Sequence, residues 1–211
     1  MYDILSQQIS GVFLERILQN TIMNDRFFSL PEEKQWRILN AGFRVFANHS
    51  YKKAPVSEIA AEAGISKSLL FHYFHNKKEL YFFLWKKAAE ISLDTLQEYK
   101  CYEPDDLFEA MYRGMYAKVK IMRDFPDLGV FVIRSFYEKD PEVSADVQRL
   151  YTAAKSKSGF GALSNIDRSK FREGLNLDMM HREMFLASEG YLWELLQKNI
   201  TLEPERIEKD F

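Results

Sequence analysis

The sequence predicts an all-α protein, in which an N-terminal three-helix domain of the helix-turn-helix type is followed by a larger helical domain. Apolar side chains recur at helical spacing along most of the chain. Only nine Gly and six Pro occur in 211 residues, so few residues oppose helix formation. Prolines also lie where one predicted helix ends and the next begins. These are Pro104, Pro126, Pro141 and Pro204.

Composition sets the broad class of the protein. An apolar share of 46% is enough for a core in a chain of this length, which excludes a globally disordered protein. The single cysteine, Cys101, excludes an intramolecular disulfide and is expected to be a small packing residue. The apolar runs are too short to span a bilayer, and the N-terminus lacks the pattern of a signal peptide. We therefore expect a cytoplasmic protein.

Charge is distributed unevenly along the chain. The overall formal charge is -2, but residues 31–87 hold ten Lys and Arg against five Asp and Glu, a balance of +5. Residues 88–211 have a balance of -6, and residues 1–30 one of -1. A basic segment of this kind attracts phosphate, whereas an acidic remainder discourages indiscriminate coating of DNA. The asymmetry favours a nucleic-acid contact confined to residues 31–87.

The first predicted helix runs from Pro31 to about Asn48. Proline is accepted in the first turn of a helix, and acids near its start interact favourably with the helix dipole. The second predicted helix covers Val56 to Ala63 and stops at Gly64, and Ser66 can cap a third helix from Lys67 to Phe74. The apolar face of the first helix consists of Trp36, Ile38, Leu39, Ala41, Phe43 and Phe46.

A long helix from about Lys77 to Lys100 is predicted to bridge two domains. The stretch Gly129–Ile133 resembles a strand in isolation, but its flanks follow helical spacing and favour a helix. The further predicted helices cover Asp105 to Arg123, Pro126 to Glu138, Pro141 to Lys157, a short one at Asp167 to Phe171, Leu177 to Asn199, and a last one from Pro204.

The first 28 residues leave two interpretations open. Apolar residues at helical spacing, among them Ile4, Ile9, Val12 and Ile17, predict an amphipathic helix. Alternatively, translation begins at Met23, so that the preceding residues are a mis-assigned start.

Residues 56–74 contain the parts that two steeply crossed helices need. Such a pair requires a small residue at the contact, a flexible residue in the turn and apolar anchors behind the second helix. Ala60, Gly64 and the pair Ile65 and Leu70 supply these parts. The pattern predicts a helix-turn-helix.

The stretch GISKSLLFHYFHNKKEL, which begins at Gly64, resembles the DNA-binding signature of the TetR/AcrR family of transcriptional regulators. The resemblance covers about residues 32–85. It implies a helix-turn-helix DNA-binding domain at residues 31–76 after an N-terminal extension, 1–30. A ligand-binding and dimerisation domain would cover residues 77–211, with 77–100 as the linking helix. The implied function is a homodimeric repressor that binds double-stranded operator DNA and releases it on binding a small apolar or amphipathic effector, with no cofactor, metal or membrane partner.

In that family the third helix enters the major groove, which assigns roles to residues of this chain by analogy. Lys67, Ser68 and Leu69 would face bases. His72, Tyr73 and Lys77 would grip phosphates, assisted by Ser57 at the start of the second helix. Phe71 departs from the tyrosine common at that position, so a hydroxyl contact to phosphate is lost there. Instead of contacting DNA, Phe71 and Tyr73 could belong to the core, and Lys77 could be a solvent-exposed residue at the start of a helix. The DNA-contact set is Ser57, Lys67, Ser68, Leu69, Phe71, His72, Tyr73 and Lys77.

Large apolar residues in the C-terminal part fit either a plain core or a cavity for an effector. A further stripe at Met180, Met184, Ala187, Tyr191 and Leu195 is a candidate for pairing across a two-fold axis, and each of its members fits the core equally well. The candidate cavity residues are Phe108, Tyr112, Met115, Tyr116, Phe131, Arg134 and Phe185.

Other functions find little support in the sequence. No GxSxG motif or Ser-His-Asp arrangement points to an enzyme. His72 and His75 have a spacing that can hold a metal, but no cluster of acids or cysteines joins them. A TetR-like activator, or an architectural DNA-binding protein without an inducer, is the alternative to a repressor. The sequence leaves the direction of regulation, the effector, the operator and the regulated genes open.

Overall fold

The computed structural model describes residues 25–152, 163, 165–198, 200 and 209–210, and the regular structure of these residues is helical throughout, without a strand. The predicted all-α class is confirmed, and the strand alternative for Gly129–Ile133 is wrong. In chain order the helices are α1 (Asp25–Phe28), α2 (Glu32–Asn48), α3 (Val56–Glu62), α4 (Lys67–Phe74), α5 (Lys77–Glu98), α6 (Leu107–Asp124), α7 (Pro126–Phe136), α8 (residues 144–152), a 3-10 turn (Arg168–Lys170) and α9 (Leu177–Gln197).

Most predicted helix borders agree with the structure to within two residues, and capping explains several of them. The Ser66 hydroxyl accepts a hydrogen bond from the Leu69 N–H at 3.1 Å, which fixes the start of α4. Gly64, with φ of +69°, lies just past the end of α3, where the left-handed conformation favours glycine. Asp106 caps α6, so this helix starts two residues later than predicted.

Three predicted helices differ from the structure or fall partly outside it. Residues 141–143 form a turn, so α8 starts after the predicted Pro141, and the predicted continuation to residue 157 lies outside the described residues. The amphipathic helix predicted in the first 28 residues also lies outside them, apart from α1. Of the helix predicted from Pro204, the structure describes only residues 209–210, which are helical.

The chain divides into two compact units, Met1–Glu90 with Pro126–Lys155, and Ile91–Phe125 with Ser156–Phe211. The boundary falls within α5. The unit that holds α2, α3 and α4 therefore also contains α7 and α8, which the sequence analysis assigned to the C-terminal domain.

The core of the first unit is an aromatic cluster between α2, α5 and α7. The Phe131 ring lies 5.6 Å from the Phe43 ring and 5.2 Å from the Tyr81 ring, measured between centroids. Phe43 and Phe131 are each only 1% exposed. On α5, the Trp85 indole N–H donates to the Ser135 hydroxyl of α7 at 2.9 Å, so this buried polar pair is satisfied. Burial of these rings holds α7 against α2.

The second unit has a smaller apolar cluster around the start of α6. Leu107 and Leu177 are buried there, and Met180 and Met184 of α9 pack against them. The Asp167 N–H donates to the Asp105 carbonyl at 2.8 Å and joins the chain beside the 3-10 turn to the start of α6. Burial raises the pKa of the Cys101 thiol to about 11, which agrees with the packing role predicted for this residue.

Two helical glycines provide a test of the packing in the first unit. A Cβ built on Gly42 of α2 would lie 2.7 Å from a methyl carbon of Leu84, a residue with no exposed surface. Replacing a helical glycine by alanine gains about 0.5–1 kcal/mol, but overpacking a core costs about 1–3 kcal/mol. We expect Gly42→Ala to lower the midpoint of thermal unfolding.

The matched control for this prediction is Gly114→Ala in α6, where the added Cβ would meet nothing within 4 Å. We expect this substitution to raise the midpoint slightly. Equal increases for both variants would show that α2 and α5 do not approach each other closely.

Candidate nucleic-acid interface

The turn between α3 and α4 is held by buried apolar residues on both helices. Ile59 and Leu70 have no exposed surface, and Ala60 is 2% exposed. The Ile65 N–H donates to the Ala60 carbonyl at 2.9 Å and closes the turn. The helix-turn-helix predicted from residues 56–74 is confirmed, and its second helix is fixed by its buried side.

The opposite side of α4 is exposed at its first turn. Lys67 and Ser68 are exposed, and Leu69 is 37% exposed. The Lys67 ammonium lies 5.7 Å from the centroid of the half-buried Phe71 ring, one turn further along the helix. The first turn of α4 thus presents three consecutive side chains that could reach into a DNA groove. One is cationic, one carries a hydroxyl group and one is apolar.

Tyr73 and Ser57, which the sequence analysis assigned to phosphate contacts, occupy different environments. Tyr73 is only 8% exposed, and its ring lies 6.2 Å from that of Phe27. This burial favours the core role that the sequence left open for Tyr73. Ser57 is exposed in the first turn of α3.

The Lys77 side chain is turned towards the loop between α2 and α3. Its ammonium donates to the Ala54 carbonyl at 2.6 Å and to the Lys52 carbonyl at 3.3 Å. It also lies 5.1 Å from the centroid of the Tyr51 ring, and burial lowers the pKa of Lys77. These contacts assign Lys77 an internal role in closing the loop. Its partners are more than 20 residues away in sequence, so sequence reasoning missed them.

The two ends of α7 are tied to α2 and to the loop that leads into the helix-turn-helix. At the N-terminal end, Arg44 of α2 pairs with Asp127 at 3.3 Å and with Glu62 of α3 at 3.8 Å. Just past the C-terminal end, the Glu138 carboxylate accepts a hydrogen bond from the Tyr51 N–H at 2.6 Å. A charged acceptor makes this bond stronger than an ordinary one. These contacts set the position of the α2–α3 loop.

Sequence reasoning also missed the contact between α1 and α4. Arg26 and His72 are both exposed, and the Arg26 guanidinium contacts the His72 ring. The contact joins residues 46 positions apart, so no local signal in the sequence reveals it.

The candidate cavity residues are divided between the two compact units. Phe131 belongs to the aromatic core of the first unit, and Arg134 is an exposed residue of the same unit. In the second unit, the Tyr112 and Tyr116 hydroxyls lie 3.0 Å apart. The remaining candidates there are Phe108, 62% exposed, Met115, 4% exposed, and Phe185, whose ring centroid lies 4.1 Å from the Lys118 ammonium.

The described part of the chain holds neither a metal-binding cluster nor a membrane-spanning helix. No group of three or more His, Cys, Asp or Glu there is arranged to hold a metal ion. None of the described helices combines the length and apolar character that a membrane crossing requires.

Comparisons with known proteins agree with this geometry. Residues 38–82 match the family model described as bacterial regulatory proteins, tetR family. The HTH-type transcriptional repressor AcnR of Corynebacterium efficiens is 23% identical over 165 residues, which are 78% of this chain and 83% of AcnR. The HTH-type transcriptional activator FasR of Mycolicibacterium smegmatis is 27% identical over 146 residues, which cover 67% of this chain but only 64% of FasR.

A solved structure shows the same fold. The transcriptional regulator FadR from Bacillus subtilis, in complex with stearoyl-CoA, has a TM-score of 0.62 at 16% identity, and the match covers 78% of this chain and 88% of FadR. The residues matched by the family model hold most of α2, all of α3 and α4, and the start of α5. The part of the chain that holds the helix-turn-helix therefore matches the tetR family of bacterial regulatory proteins.

Proposed function

We propose that this chain is a ligand-responsive repressor that binds operator DNA as a homodimer and releases it when a small apolar or amphipathic effector binds. The observation that carries the proposal is the exposed first turn of α4, whose opposite side is buried. A helix held in this way can enter the major groove without unfolding its support. A cytoplasmic location follows from this function.

The proposed base contacts are those of Lys67, Ser68 and Leu69. Lysine donates to guanine acceptors or to phosphate, a serine hydroxyl donates or accepts at several base edges, and leucine packs on a thymine methyl. Two copies of α4 would occupy successive major grooves of a palindrome, about 34 Å apart.

The direction of regulation has two candidates. AcnR is named a repressor and FasR an activator, so a TetR-like activator is the second candidate. An architectural protein without an inducer would also retain the α4 surface.

The second unit is the proposed location of the effector site. The likeness to FadR bound to stearoyl-CoA makes a long-chain acyl-CoA the first effector class to test. The exposed rings of Phe108 and Tyr112 offer apolar surface, and the Lys118 ammonium of the same unit pairs with the Glu189 carboxylate at 2.7 Å. Because α5 runs through both units, it is the proposed link between effector binding and the DNA-binding helices. Such coupling requires that the effector bind the two states with different affinity.

The proposed dimer surface lies on α9 and differs in part from the predicted stripe. Met180 and Met184 pack against the apolar cluster of the second unit, and Leu195 is only 6% exposed. Exposed residues instead follow helical spacing on another part of α9. They are Met179, Glu183, Leu186, Ala187 and Gly190.

The first prediction concerns the two sides of α4. Leu69→Ala and Lys67→Ala are expected to relax base preference at single positions of a duplex that the protein selects from a random-sequence pool. Each lost base contact is worth about 1–3 kcal/mol. Because both residues are exposed, the midpoint of thermal unfolding should stay nearly unchanged. Leu70→Ala, on the buried side, should instead cost about 2–5 kcal/mol of stability.

Binding is measured by fluorescence anisotropy at fixed salt, with Lys139→Ala, an exposed lysine of the first unit, as the charge-matched control. If wild-type protein selects no preferred sequence, the proposed function is wrong. If Lys67→Ala behaves like Lys139→Ala, Lys67 does not contact DNA.

The effector prediction uses stearoyl-CoA as the probe and coenzyme A as the control. Binding to the folded state at a hundredfold excess over Kd stabilises a protein by about 2.7 kcal/mol. We expect stearoyl-CoA, but not coenzyme A, to raise the unfolding midpoint and to release the selected duplex. An increase in midpoint without release would favour the activator, and the absence of both effects would exclude acyl-CoA as the effector.

The dimer prediction compares two exposed leucines. Leu186 of α9 is 46% exposed and Leu93 of α5 is 50% exposed. We expect Leu186→Glu to give monomers in size-exclusion chromatography with light scattering, because a charge buried in an apolar interface is costly. Leu93→Glu should leave the dimer intact, and two intact dimers would place the interface elsewhere.

A further inference from the structure

The short helix α1 packs against the buried side of α4 through one aromatic side chain. Phe27 is 1% exposed, and its ring centroid lies 5.1 Å from those of Phe74 and Phe83 and 6.2 Å from that of Tyr73. Aromatic pairs at these distances add to the free energy of burial. Helix α1, which precedes the helix-turn-helix in sequence, is therefore packed on α4.

The backbone around α1 is also tied down by hydrogen bonds. The Ser29 hydroxyl donates to the Arg26 carbonyl at 2.9 Å. The Gln35 amide of α2 donates to the Leu30 carbonyl at 2.9 Å and to the Phe28 carbonyl at 3.3 Å. A side chain on a backbone fixed in this way loses less conformational entropy when it contacts a partner.

Arg26 is placed next to the DNA-facing side of α4. Its guanidinium contacts Nε2 of His72 and lies 3.4 Å from Nδ1. His72 follows Ser68 by four residues and Leu69 by three, a spacing that places all three side chains on one side of a helix. The Arg26 guanidinium therefore borders the surface that carries the proposed base contacts.

The chemistry of this contact fixes the direction of its hydrogen bond. A guanidinium only donates hydrogen bonds and keeps its charge, so the His72 nitrogen that faces it accepts one. We propose that Arg26, rather than His72, contacts a phosphate of the duplex backbone beside the major groove, and that His72 orients the guanidinium. Arginine suits this role because its planar fork matches the geometry of phosphate. The inference rests on the proposed DNA-binding function.

The test measures how duplex affinity depends on salt, with the duplex that wild-type protein selects from a random-sequence pool. Each phosphate contact adds about 0.9 to the slope of log K against log salt, so Arg26→Gln should reduce the slope by about 2 for a dimer. Base preference should be unchanged, because a phosphate contact carries no sequence information. Arg26→Lys should keep most of the slope, and His72→Gln should reduce it by less than Arg26→Gln does.

Arg172→Gln is the matched control, since Arg172 is an exposed arginine of the second unit. Thermal unfolding of each variant shows that a change in slope does not arise from loss of fold. The inference is overturned if wild-type protein binds the selected duplex and Arg26→Gln gives the same slope as Arg172→Gln. Failure of wild-type protein to bind any duplex would instead reject the proposed function.

Discussion

The burial of one side of α4 is the constraint on which the rest of the structure depends. Leu70 and Phe74 are buried on that side, and the first turn of the same helix must remain exposed if it is to enter a groove. An eight-residue helix has little stability of its own, so its orientation comes from what packs behind it. α1 and α5 provide that support through Phe27 and Phe83, whose ring centroids lie 5.1 and 5.0 Å from that of Phe74.

Local signals in the sequence are sufficient to predict α4 but not the residues that pack around it. Gly64 and Ser66 mark the turn of the helix-turn-helix through backbone conformation and capping, which depend on adjacent residues only. The roles of Lys77 and Arg26 depend on partners 23 and 46 positions away, so residue type alone assigned Lys77 to phosphate and passed over Arg26. Tyr73 illustrates the same limit, because helical spacing does not show which neighbour covers a ring.

The packing of α7 against α2 could not be predicted from the sequence either. Its residues have the apolar character of a core helix, and the predicted order of helices put it in the C-terminal domain. In the structure it packs on α2 through Phe131 and is tied at its ends by Asp127 and Glu138. The proposed division into a DNA-binding and an effector-binding part therefore need not coincide with the compact units of the chain.

The attachment of α7 limits how the N-terminal helices could be joined to another protein. If the rings of Phe43 and Phe46 require a helix from later in the chain to cover them, the DNA-reading portion is not a self-sufficient module. Recombination that joined residues 31–76 to an unrelated sensor would leave an apolar face open to water and to aggregation.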